Sequence, residues 1–148
     1  MKPLSEEAVS LFLKGYACSE SVLLAFSKHY GIKSELIPRI ATAFGGGFGR
    51  KGLVCGCVTG ALMTIGLKFG RTDTSQSNAE AYEVTRKFCE AFKERFRSLF
   101  CRELTEIDLT TEEGRRIFAE KKVGEEKCVN FVKESVLILL DLIEKQRS

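Results

Sequence analysis

Six of the 148 residues are cysteines, Cys18, Cys55, Cys57, Cys89, Cys101 and Cys128, and the one histidine is His29. Cysteine sulfur offers three chemistries. It binds soft metals as the thiolate, exchanges with disulfides, or sits inert in a core as a small hydrophobe. A structural disulfide framework is the weaker expectation, because cytosolic compartments keep thiols reduced and no secretory leader pattern opens the chain. A single histidine excludes a His-rich metal site. No Cys-x-x-Cys-His is present, which removes covalent haem attachment, and no Cys-x-x-Cys of any kind, which weakens both a thioredoxin-like dithiol and the paired spacing of zinc modules.

The elements that must hold these sulfurs read as helices. EEAVSLFLK places Val9, Phe12 and Leu13 on one face, and Gly15 ends that helix. A second runs from about Ala17 to Tyr30 with Cys18 in its first turn, stopping at Gly31. Ser34 to Phe44 reads as a shorter helix interrupted near Pro38. Then come five glycines, Gly45, Gly46, Gly47, Gly49 and Gly52, and an apolar helix expected over Leu53 to Phe69. Gly56 and Gly60, one turn apart on it, imply a neighbour packed hard against that face, since glycine costs ~1 kcal/mol relative to alanine inside a helix.

Arg71 to Asn78 is the clearest linker. Ser77 with Glu80 resembles a capping box for a helix carrying Cys89, Phe92, Phe96 and Phe100 on one stripe and ending near Cys101. Thr110 with Glu113 repeats the pattern before a short helix through about Lys122. Gly124 opens the last helix, with Cys128 near its start and Phe131, Val132, Val136, Leu139, Leu140 and Ile143 buried. No segment alternates with period two long enough to make a strand. The expectation is all-α: a compact multi-helix bundle with a glycine-rich loop before a central helix, residues 1–148 forming one helical redox-type domain.

On that scaffold Cys18, Cys55 and Cys128 fall near helix N-termini, where unpaired N–H groups and the helix dipole favour a thiolate. Cys101 is expected in the turn after a helix, without that help. Lys51, Arg102 and Lys127 are close in sequence to three of the sulfurs and could offset negative charge. Cys89 shares the phenylalanine stripe and reads as a core residue. Cys57 follows Cys55 by two positions, ~200° around a regular helix, so the two cannot face one site unless the backbone there is non-helical. Four candidates remain: Cys18, Cys55, Cys101 and Cys128.

GYACSESVL around Cys18, CGCVTGALMTIGL from Cys55 to Leu67, CREL at Cys101 and the single Cys128 together resemble the C_GCAxxG_C_C family, whose members are held to be redox-active. Where the family motif has Cys-Gly-Ala-x-x-Gly, this chain has Cys55-Gly56-Cys57-Val58-Thr59-Gly60, so Cys57 replaces the motif alanine and is expected to be a packing position. The resemblance implies a helical fold and four functional cysteines at Cys18, Cys55, Cys101 and Cys128. Some relatives carry haem beside an iron centre held by these cysteines; only the haem part is excluded here by the missing motif.

Three readings compete. The first is an iron–sulfur centre of the [2Fe–2S] type, held by Cys18, Cys55, Cys101 and Cys128 and used in electron transfer with a redox partner protein. The second is a metal-free thiol–disulfide protein with Cys18 or Cys55 as the reactive thiol. The third is a structural Cys₄ zinc site. Simple burial of the four thiols is the remaining case.

Other signals carry less. Gly47-x-Gly49-x-x-Gly52 matches a dinucleotide fingerprint by letters, but that motif needs a preceding strand. Arg50 and Lys51 could bind an anion but read better as a solvated loop, Glu20 as a solvated carboxylate and His29 as a surface residue. Net charge +3 with acids and bases interspersed argues against a nucleic-acid surface. No apolar run reaches membrane-spanning length, the longest being Val136 to Leu140, so no membrane insertion and a cytoplasmic location are expected. Apolar residues nearly all round the last helix raise a homodimer as an expectation.

Overall fold

The computed structural model describes residues 2–147. Among them lie eight α-helices and no strand, with 70% of the chain helical, so the all-α expectation holds. The helices are α1 (Leu4–Leu13), α2 (Cys18–His29), α3 (Gly45–Phe48), α4 (Gly56–Phe69), α5 (Ala79–Phe96), α6 (Cys101–Thr105), α7 (Glu112–Glu120) and α8 (Val129–Arg147). A 3₁₀ stretch, Arg39–Phe44, precedes α3, and a π-helical turn, Gly124–Cys128, leads into α8.

Helix α4 is the hub. It packs on α2, α5 and α8, and every residue from Gly56 to Ala61 is buried. The closest approach is to α2. A Cβ added to Gly60 would sit 2.7 Å from the Ser19 carbonyl oxygen, and one added to Gly56 2.9 Å from the Ser19 nitrogen and 3.1 Å from the Cys18 Cβ. The paired glycines therefore serve a helix crossing, and the crossing point is the residue pair that begins α2.

The core is aliphatic around α2, α4 and α8 and aromatic along α5. Phe26, Val22, Val58, Ile65, Val132, Val136 and Leu139 are fully buried or nearly so. Burial of each such side chain contributes about 1.5–3 kcal/mol. Phe88, Phe92 and Phe96 form a ladder at helical spacing that ends edge-on against Phe131, with ring centroids 6.0, 4.9 and 4.9 Å apart. Cys89 lies beside this ladder, half-buried, as a packing residue. Leu140 is half-buried rather than buried, and Leu137 faces solvent. Within the chain α8 packs on α1, α4, α5 and α2.

Five expected boundaries or caps differ in the structure. Helix α4 begins at Gly56, not Leu53, because Leu53–Cys55 runs extended and pairs with the segment after α5: Val54 and Phe100 form an antiparallel bridge. Helix α5 ends at Phe96, where Arg97 turns left-handed (φ 70°), and Phe100 leaves the aromatic stripe for the surface. The stretch 34–44 is turns and 3₁₀ helix. Ser77 does not form a capping box with Glu80; Asn78 is the N-cap, and the Ser77 hydroxyl accepts from the Ala79 N–H at 3.1 Å. In α7 the cap is Thr111, one residue past the expected Thr110, its hydroxyl accepting from the Gly114 N–H at 2.9 Å.

Candidate functional site

Cys55 and Cys101 are brought side by side by backbone pairing. The Cys55 N–H donates to the Leu99 carbonyl at 2.8 Å and the Cys101 N–H to the Leu53 carbonyl at 2.7 Å. Cys55 is thereby the N-cap of α4, and Cys101 is the first residue of α6. The expected placement of Cys101 after a helix is corrected: Cys18, Cys55 and Cys101 lie at helix starts, whereas Cys128 lies at the end of the π turn, inside the helical stretch that runs from Val123 into α8. The glycine loop clamps this pairing. Gly46 and Gly47 carbonyls accept from Gly52 and Leu53, and Gly47, at φ 68°, lies so close that a Cβ would meet the Cys101 Cβ at 2.7 Å. No side chain fits there.

Cys18 opens α2 and leans on Gly56. Cys128 closes the π turn, six residues past the left-handed Lys122. Together Cys18, Cys55, Cys101 and Cys128 line one cavity of about 660 Å³. Four segments separated widely along the chain thus contribute one thiol each. As they stand, no three His, Cys, Asp or Glu side chains among the described residues are grouped closely enough to hold a single metal ion.

Charge around the cavity differs from the sequence expectation. Arg102 pairs with Asp108 at 3.3 Å and Lys127 with Glu106 at 3.0 Å, and neither they nor Lys51 line the cavity. Arg50 and Arg115 do. Arg115 had no signal in the sequence; it follows Gly114, which packs tightly against the turn before α7, where a Cβ would stand 1.8 Å from the Asp108 carbonyl oxygen. Arg115 donates to the Leu109 carbonyl at 2.9 Å, which aims the guanidinium. Glu20 also lines the cavity, but its two oxygens accept from the Ala17 N–H at 2.8 Å and the Thr42 hydroxyl at 2.7 Å, so it positions the start of α2. Phe12, Phe118 and Phe131 supply an apolar wall.

The sulfurs sense one another. The Cys128 thiol, and secondarily the Cys57 thiol, donate to the Cys18 sulfur and hold its pKa well below the ordinary thiol value. Cys128 is raised in return, first by that bond and then by burial. Burial, with the charges of Cys55 and Cys18, pushes Cys101 up to about 12.

Cys57 is not turned away as a regular helix would require. Cys55 has extended backbone (φ −55°, ψ 137°), so the helical offset between the two does not apply, and the fully buried Cys57 thiol reaches both Cys18 and Cys55. It lies outside the lining of the cavity. The signal that could have found it is the glycine loop itself, which delivers the chain to Cys55 extended.

A protein that surrounds a multi-thiol cavity with helix starts belongs to the cysteine-centred redox class in the chemistry it can perform. The model of the family described as "Putative redox-active protein (C_GCAxxG_C_C)" matches residues 16–142, and the chain belongs to that family. No curated protein and no solved structure matches it. Among the described residues no helix is long and apolar enough to cross a membrane.

Proposed function

We propose that the chain is an electron-transfer protein in which Cys18, Cys55, Cys101 and Cys128 hold an iron–sulfur centre of the [2Fe–2S] type. The observation that carries this reading is the convergence of these four thiols on one cavity with room for more than a single ion. The donor set fits in its chemistry: four soft thiolates and no oxygen or imidazole ligand favour this class of centre. Such a centre would supply one-electron chemistry. The chain's own part is to present sulfurs from the starts of α2, α4 and α6 and from the π turn, to offset their negative charge with Arg50 and Arg115, and to exclude water with Phe12, Phe118 and Phe131.

The test is protein purified anaerobically. Visible absorbance with iron and acid-labile sulfide, lost in Cys55→Ala while far-UV circular dichroism is retained, supports the reading. Colourless protein with one zinc per chain refutes it in favour of a structural site. A second reading, metal-free thiol–disulfide chemistry at Cys18, is favoured by the bond that Cys128 donates to the Cys18 sulfur. Metal-free protein with a reversible two-electron thiol titration would select it.

A further inference from the structure

Cys57 is a fifth thiol at a four-thiol cavity. It is wholly buried and is not among the residues that line the cavity. Its neighbours are the Cys18 and Cys55 sulfurs. The Cβ of Cys18 lies against Gly56, the residue between Cys55 and Cys57, so this proximity is fixed by the α2–α4 crossing and does not depend on a side-chain rotation alone.

We propose that Cys57 is a resolving thiol for Cys18, forming a Cys18–Cys57 disulfide that withdraws Cys18 from the cavity and so makes loading of the centre depend on redox state. The gating rests on the four-thiolate reading above. The oxidant is a low-molecular-weight disulfide, RSSR. The Cys18 sulfur attacks one sulfur of RSSR; the S–S bond breaks, and the displaced RS⁻ leaves as RSH with the Cys18 proton. The Cys57 sulfur then attacks Cys18 in the mixed disulfide. A second RS⁻ leaves as RSH with the Cys57 proton, and the Cys18–Cys57 bond forms. Two thiols lose two electrons, and RSSR becomes two RSH.

Cys55, Cys101 and Cys128 line the cavity with Cys18, and Cys57 does not, so a Cys18–Cys57 bond takes one thiol from the cavity and leaves the other three.

The experiment uses full-length metal-free protein treated with glutathione disulfide, followed by non-reducing peptide mapping and by iron and sulfide reconstitution before and after dithiothreitol. The expected result is a Cys18–Cys57 linkage, iron uptake reduced at least tenfold, and full recovery after reduction. In Cys57→Ala, one glutathione should remain on Cys18. Linkage of Cys18 to Cys128, linkage of Cys55 to Cys57, or no internal linkage overturns the proposal. Reduced protein that takes up no iron overturns the four-thiolate reading and the gating with it, whereas absence of the Cys18–Cys57 linkage overturns the gating alone.

Discussion

Replacing Gly60 by alanine tests whether the α2–α4 crossing is as tight as the site requires. The new methyl would lie 2.7 Å from the Ser19 carbonyl oxygen, 3.1 Å from its Cα and 3.2 Å from the Val22 Cβ, against ordinary contact at 3.4–4 Å. The obstructing atoms include backbone, so α2 must retreat by several tenths of an ångström. Overpacking of this kind costs ~1–3 kcal/mol, and the helix-propensity gain of Gly→Ala returns ~1 kcal/mol. The net expectation is a loss on the order of 1 kcal/mol, or ~2–4 °C in Tm for a chain of this size. Gly66, on the same helix with nothing within 4 Å, is the control: Gly66→Ala should gain up to ~1 kcal/mol. Urea denaturation followed by circular dichroism reads both. The reasoning fails if the two substitutions raise the midpoint equally.

Three further outcomes are expected. In metal-free protein at pH 7, iodoacetamide should label Cys18 before Cys89, although both are half-buried, because thiol donors lower the pKa of Cys18 while burial and Glu90 raise that of Cys89; peptide mapping that finds Cys89 first would contradict this. Cys101, pushed up to about 12 from an ordinary 9.0, keeps its proton more firmly in the folded chain, so its contribution to stability is complete below pH 9 and lost as pH rises toward 12. Cys101→Ala should flatten that alkaline decline in denaturation midpoints, and an unchanged slope would reject it. Thr111→Ala removes the α7 cap and should cost ~1 kcal/mol, largely restored by Thr111→Ser; an unchanged midpoint would show that the cap contributes nothing.

Legibility in the sequence followed the range of the forces involved. Helices α1, α2, α5 and α8 carry long amphipathic periods, and their existence could be read directly. Cys18, Cys55, Cys101 and Cys128 line one cavity. What could not be read depends on contacts between distant segments. The pairing of Leu53–Cys55 with Leu99–Cys101 straightens a stretch that is helical by composition, and it alters both the start of α4 and the surroundings of Cys57. Arg115 lines the cavity from α7, a helix far in sequence from Cys18 and Cys55. A charge close to a sulfur in sequence, as with Arg102 and Lys127, found a carboxylate instead.

The packing of α1 on α8 bears on the order in which the protein can be made. A ribosome releases Cys18 early and Cys128 more than a hundred residues later. Until then α1 lacks the helix that covers it, and the thiols of Cys18, Cys55 and Cys101 face an open side. Contacts between α1 and α8 join segments more than a hundred residues apart, and such contacts form late. Cys18, Cys55 and Cys101 therefore emerge before α8, whose Phe131 forms part of the wall of their cavity.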